Sequence, residues 1–252
     1  MTGNLKIETR NAVMEITFAR PEKKNALTGE MYLGLVDAME RADKSDDVRA
    51  ILISGAGENF SAGSDIGEFL SRVNRTEEFP ALRFIRQLAI CETPMVAAVD
   101  GNAIGVGTTM LFHCDLIYAS PVARFHTPFI NLALVPEAAS SLLLPARIGH
   151  ARAAEMLLLG EPFSADQALS LGLINGIAPA GEVLGVAREK ASLLASKPRN
   201  ALRATRRLMR GDPDILLDRI REEAFLFDLA LRSEEAREVF MAFMARSKSK
   251  PA

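Results

Sequence analysis

The chain has 252 residues, 48% hydrophobic and 25% charged, with a net charge of −2, the balance of an ordinary globular protein of one or two domains. That charge exerts no pull toward nucleic acid or an anionic membrane, and with no Trp and two Tyr the chain is poor in platforms for base stacking. No uncharged apolar run reaches the ~18 residues of a membrane-crossing helix, and Cys91, Cys114, His113, His126 and His150 have neither disulfide-framework nor metal-ligand spacing.

"AVMEITF" (12–18) alternates and predicts a strand. Thr28 caps a predicted helix, "GEMYLGLVDAMERAD", and "VRAILIS" (48–54) is a second strand. "FPALRFIRQLAICE" (79–92) has helical spacing, and "TPMVAAVDG" (93–101) is an apolar strand ended by Gly101. "GVGTTMLFHC" (105–114) reads as a helix opened by small residues, and "DLIYAS" as another strand. His126 lies in an apolar strand and reads as a satisfied core histidine. After residue 136 the pattern is mostly helical, with one short strand in "LINGIAP" and a Ser-x-x-Gln capping box at "SADQ" (164–167).

Strands alternating with helices over the first ~180 residues predict an α/β fold. Residues 181–246 read as all-helical. In "AFLFDLAL" (224–231) the only non-apolar residue is Asp228, so this helix packs either on its own core or against another subunit. "SKPRNALRATRRLMR" (196–210) carries six basic residues and no acid, which fits a solvated face or a contact for a phosphate-bearing ligand. The N-terminus has no apolar signal core, and "SKSKPA" matches no address motif, so a cytoplasmic location is expected.

Three stretches carry candidate chemistry. "NFSAGSDIGEF" (59–69) follows an apolar strand with a small-residue turn and an acid, either a plain helix start or a backbone aimed at a ligand. In "DGNAIGVG" (100–107), Gly105 and Gly107 permit close helix–strand packing, or let amides at a helix N-terminus approach a ligand oxygen. In "RFHTPFINLALVPEAASS" (124–141), Pro136 and Glu137 suit a first helical turn. The neighbouring runs "INLALVP" and "AASSLLLP" contain no charge, however. A carboxylate in such a wall has a raised pKa, the property of a general base.

Together these stretches resemble the crotonase superfamily, the enoyl-CoA hydratase/isomerase family, over nearly the whole chain. "ARPEKKNALT" is similar to its early CoA-binding turn, and "NFSAGSDIGEF" to its A-G-x-D signature. "AVDGNAIGVGTTMLFHCDLIYAS" resembles its G-x-x-x-G-x-G helix and strand, and "GEPFSADQALSLGLINGIAP" the segment that follows. The resemblance implies a ββα spiral core over residues 1–195 that binds acyl-CoA, and a C-terminal helical oligomerisation region over 196–252. It places one oxyanion-hole amide on Ser64 and the other on Val106, both meeting a thioester oxygen. It implies that Ala62 lies near the adenine end of CoA, that Lys23 or Lys24 meets its phosphates, and that Ala26, Gly63, Asp65, Ile66, Gly105 and Phe129 belong to the substrate site. Asp65 reads better as a helix-start acid than as a catalyst.

The two glutamates of typical hydratases are replaced at the matching positions by Thr109 and Phe129, neither of which can act as a carboxylate. Glu137 stands where the peroxisomal-type 3-enoyl-CoA isomerases of the family place their single base. The resemblance therefore implies an isomerase that moves a 3-enoyl double bond to the 2-trans position. The alternatives are a hydratase, another acyl-CoA reaction of the family or a non-catalytic acyl-CoA-binding module. The expected partner is an acyl-CoA, with no nucleic acid or membrane, in a homotrimer or dimer of trimers. No cofactor is expected beyond the coenzyme A that belongs to the substrate.

Overall fold

Asn11 and Ala12, both at positive φ, turn the chain between β1 (Leu5–Arg10) and β2 (Val13–Phe18), which pair antiparallel as a hairpin. The computed structural model describes residues 3–71 and 78–248. After α1 (Gly29–Lys44), whose Met31 amide donates to Thr28 Oγ1 at 3.3 Å, β3 (Ala50–Gly55) returns parallel to β2. Next come α2 (Ile66–Ser71), α3 (Pro80–Ile90), β4 (Met95–Val99), β5 (Asn102–Ile104), α4 (Val106–Thr109), β6 (Leu116–Ala119) and β7 (Arg124–His126). Then follow α5 (Ser140–Ile148), α6 (His150–Leu157), β8 (Phe163–Ser164), α7 (Ala165–Ser170), β9 (Gly176–Ile177) and α8 (Val183–Ala195). The chain closes on α9 (Arg199–Arg210), α10 (Pro213–Leu231) and α11 (Glu234–Lys248).

The main sheet has the order β1-β2-β3-β4-β6-β9, parallel from β2 onward. Its central strands are apolar at successive positions because both faces are covered. Ile51, Ile53, Met95 and Ala97 share a core with Leu35 and Met39 of α1 and Leu88 of α3. The alternate residues Ala50, Leu52, Val96 and Ala98 pack on Ala187, Ala191 and Ala195 of α8. A second sheet, β5-β7-β8, stands beside it. Its strands of two or three residues are too short to leave a periodic signal, and β5 and β8 escape the sequence reading.

Two expectations need correcting. The helix expected over 105–114 is a single α turn followed by a 3-10 turn, Met110–His113. Glu137 is not in a helix start: α5 begins at Ser140, after a turn in which Ala138 and Ala139 both take positive φ. The C-terminal helices fold over the rest. Leu216 and Ile220 of α10 pack on Ile85 and Ala89 of α3. Leu231, with Ala236 and Phe240 of α11, packs on Phe129 and Leu134. No helix among the described residues is long and apolar enough to cross a membrane.

Candidate active site

The turn after β3 is built around Asn25, fully buried and at positive φ. Its side chain accepts from the Arg20 amide at 2.9 Å and donates to the carbonyls of Ala56 and Asn59 at 2.8 and 2.6 Å. Ser61 Oγ donates to the Asn25 carbonyl at 2.9 Å and accepts from the Gly63 amide at 3.1 Å. On either side of Ser64, the Gly63 carbonyl accepts from the Leu27 amide and the Asp65 amide donates to the Leu27 carbonyl, both at 2.8 Å. The peptides flanking Ser64 are thus pinned, while its own amide has no acceptor among the described residues. Ser64 Oγ is tied to the buried Tyr32 hydroxyl at 2.7 Å.

The second turn ends β5. Gly105 sits at φ 55°, ψ −123°, a conformation open only to glycine. Its amide donates to the His126 carbonyl at 2.8 Å, and its carbonyl accepts from the Thr108 and Thr109 amides. Val106 is the first residue of α4, where an amide has no partner within the helix, and it has none elsewhere among the described residues. The two turns touch closely: a Cβ on Gly63 would lie 2.8 Å from the Ile104 carbonyl oxygen. Two unpaired amides therefore open on one cavity of about 720 Å³.

Glu137 faces the same cavity. Thr109 Oγ1 donates to its Oε1 at 2.5 Å, while Oε2 has no partner among the described residues and remains accessible. Burial raises the Glu137 pKa to about 7; the Thr109 bond opposes that rise and the nearby Glu223 carboxylate adds to it. A carboxyl poised near neutrality with one free oxygen can remove a proton next to a carbonyl, and two amide donors on the same cavity can stabilise the resulting oxyanion.

The remaining predicted residues divide. Ala62, Gly63, Ile66, Gly105 and Phe129 line the cavity with Ser64, Val106 and Glu137. Of the two lysines, Lys24 is at the cavity; Lys23 is exposed and does not line it, and neither does Ala26, whose carbonyl accepts from Arg20. Asp65 stands apart from the lining: it pairs with Arg20 at 2.7 Å and accepts from the Glu68 amide at 3.2 Å in the first turn of α2. Burial opposes its charge, but these partners prevail and hold its pKa below the usual value. His126 is half-buried and lines the cavity rather than the core, with Nε2 donating to the Gly160 carbonyl at 2.9 Å. Asn25, Tyr32, His113 and Glu223 were missed. Asn25 alone had a local signal, since asparagine tolerates a left-handed backbone.

The arginines of 196–210 are largely occupied. Arg199 and Arg203 donate to the Ser45 and Asp43 carbonyls at the end of α1, and Arg206 and Arg210 to Cys91 and Leu88 at the end of α3. These are helix C-termini, where carbonyls lack partners and cations are favoured. Among the described residues, no three His, Cys, Asp or Glu side chains gather as a metal would need.

A family model described as enoyl-CoA hydratase/isomerase matches residues 8–250. The chain belongs to the enoyl-CoA hydratase/isomerase family. It is 35% identical to enoyl-CoA delta isomerase 2 of Rattus norvegicus over 248 residues, covering 95% of this chain but only 63% of that protein. It is 32% identical to the 1,2-epoxyphenylacetyl-CoA isomerase of Escherichia coli K12, covering 93% of this chain and 92% of the relative. The crystal structure of an enoyl-CoA hydratase/isomerase from Pseudoalteromonas atlantica T6c superposes with a TM-score of 0.92 at 39% identity, covering 99% of each chain. The crotonase-type fold expected from the motifs is thus the fold of the chain.

Proposed function

We propose that this member of the enoyl-CoA hydratase/isomerase family is an isomerase that converts a 3-enoyl-CoA to the 2-trans-enoyl-CoA. The observation that carries the reading is Glu137: of the two cavity carboxyls of raised pKa, Glu223 has both oxygens engaged by Ala139 and Ser141, whereas Glu137 keeps one open on the cavity that also bears the free amides of Ser64 and Val106. The thioester oxygen accepts from these two amides. Glu137 Oε2 takes a C2 proton; the C–H electrons form a C1–C2 double bond and the carbonyl pair moves onto the thioester oxygen, giving a dienolate conjugated with the C3–C4 double bond. Each amide contributes roughly 3 kcal/mol to that oxyanion. The acid then returns the proton at C4, leaving a C2–C3 double bond. A pKa of about 7 suits both steps, since the group must accept and release a proton at one pH. Atoms and electrons balance within the substrate and one carboxyl, so no redox group or metal is called for.

Thr109 supports isomerisation over hydration: where a second glutamate would hold water, its hydroxyl binds the base instead. Phe129, at the other replaced position, is apolar and packs on Phe227 with ring centroids 6.4 Å apart. Lys24 is the candidate for the CoA phosphates. Phe225, Leu226 and Leu229, the outward face of α10, are exposed at 65, 44 and 53%, and we assign them to a subunit contact in a homotrimer or dimer of trimers. Sedimentation as a monomer would contradict that contact. A second reading, isomerisation of a cyclic acyl group, is favoured by the E. coli relative and by Phe79, Phe129, Phe227 and Phe240 in the lining.

A panel of linear 3-enoyl-, 2-enoyl- and 1,2-epoxyphenylacetyl-CoA tests the proposal, read by the absorbance of the conjugated thioester and by product chromatography. Conversion of 3-enoyl-CoA with little 3-hydroxyacyl-CoA is expected. Hydration of 2-enoyl-CoA at a comparable rate would overturn it, as would tight binding of CoA esters without turnover.

A further inference from the structure

The backbone just after Glu137 is strained. Ala138 and Ala139 stand in succession at φ 60° and 54°, a region that L-residues with a Cβ avoid unless something holds them there. Ala139 precedes α5 and offers no side-chain cap. Two buried side chains from distant parts of the chain act instead. Glu223, on α10, accepts the Ala139 amide on Oε2 at 2.6 Å; its Oε1 accepts the Ser141 amide at 3.0 Å and the Ser141 hydroxyl at 2.5 Å. His113, from the turn after α4, lies with Nε2 at 2.8 Å from the Ala138 carbonyl oxygen. Its Nδ1 lies 3.4 Å from Arg210 Nη2, and a guanidinium can only donate. Nδ1 therefore accepts, and Nε2 carries the proton and donates to Ala138.

The carbonyl of Ala138 and the amide of Ala139 are the two ends of one peptide group. It is gripped at both ends by side chains that are 2% and 5% exposed; Glu223 also lines the cavity, but both of its oxygens are engaged by the Ala139 and Ser141 donors. A helix start alone would need only a Ser or Asp at position 139. We infer that His113 and Glu223 are positioning residues, a clamp on the Ala138–Ala139 peptide that seats the Glu137 carboxyl against Thr109 with its other oxygen open to the cavity. The inference rests on Glu137 being the base. The titratable and charged groups around the clamp are Glu223 and Tyr32 near Glu137, Arg219 near Glu223, and Arg210, Arg147 and Arg206 near His113. Burial first, and then Arg210, push the His113 pKa down to about 3, so it is neutral throughout the working range.

That neutrality makes the test clean. His113→Leu removes the grip on Ala138 without changing any charge beside Glu137; His113→Gln restores a donor near the place of Nε2. Folding is checked by circular dichroism. The Glu137 carboxyl is followed by carbon-13 NMR of the glutamate-labelled full chain, assigned against Glu137→Gln. In His113→Leu the midpoint, expected near 7 in the wild type, should fall by roughly one pH unit as the carboxyl leaves its seat for water. The kcat on 3-enoyl-CoA should fall at least about tenfold with KM little changed, the signature of a misplaced group. His113→Gln should recover most of both. Glu223→Gln, which keeps the volume but loses one acceptor, should show the same fall in kcat; because it also removes a charge that raises the Glu137 pKa, kcat and not the midpoint is its readout, and a folded Glu223→Gln with wild-type kcat overturns the clamp if His113→Leu does not fold. Folded variants with wild-type midpoint and kcat would overturn the clamp. A wild type that does not turn over 3-enoyl-CoA would overturn the isomerase reading instead, and the NMR midpoints would still decide the clamp.

Discussion

Burying a carboxyl for chemistry should weaken the fold, and Glu137→Gln measures by how much. In the folded chain its pKa is about 7 against 4.5 for an ordinary glutamate. The sign follows from which state holds the proton. Below 4.5 both folded and unfolded chains hold it, so wild type and variant should be equally stable. As pH rises through 7 the folded chain must ionise a buried group that the unfolded chain ionised earlier, and the wild type loses stability. The difference in pKa corresponds to at most roughly 3 kcal/mol, and cavity water at the free oxygen reduces it to about 1–3. Glutamine is neutral at every pH, keeps the volume and can still accept from Thr109. Melting followed by circular dichroism between pH 4 and 8.5 should therefore show Glu137→Gln above wild type by about 2–10 °C at pH 8, the gap closing toward pH 4. A gap that does not change with pH, or a variant that melts lower at pH 8, would refute the reasoning.

Val106→Pro removes one oxyanion donor at the first position of a helix, where proline is tolerated, so the chain should fold and kcat should drop about 100-fold or more. Unchanged turnover in a folded variant would place the oxyanion elsewhere. Thr109→Val deletes the bond that favours the ionised base, so the acidic limb of kcat/KM should move to higher pH, read from a pH–rate profile; a limb that moves down would contradict the geometry. Arg206→Met breaks the paired contacts to Asp115 and the bond to the Cys91 carbonyl, and should cost about 3 kcal/mol in urea unfolding while leaving KM for the CoA ester unchanged. A large rise in KM would mean that α9 reaches the ligand after all.

Much of this was legible because it is local. The strands "AILIS" and "MVAAV" are apolar on both faces, as a covered parallel sheet requires, and the turns at Ser64 and Val106 carry small residues where backbones approach. Glu137 stood out as one charge in an apolar wall. Its backbone did not, because "VPE" has the look of a helix start and alanine carries no mark of a positive φ. Glu223 lies in an ordinary charged stretch, "REEAFLF", and its partners are 82 and 84 residues back. The basic run of α9 was ambiguous for the same reason: carbonyls left over at the ends of α1 and α3 are not visible in any one segment. "AFLFDLAL" packs inward with Ala224, Phe227 and Leu231 at the cavity, while Phe225, Leu226 and Leu229 face outward, a split that the apolar run did not mark.

The central claim, that Glu137 is the single base, is tested most directly by turnover of 3-hexenoyl-CoA by wild type and Glu137→Gln side by side, with KM and CoA-ester affinity measured in both. The account predicts a fall in kcat of at least about 100-fold with affinity nearly unchanged, since shape and polarity are kept and only proton transfer is lost. A variant that isomerises 3-hexenoyl-CoA as fast as wild type would contradict it and require a different base.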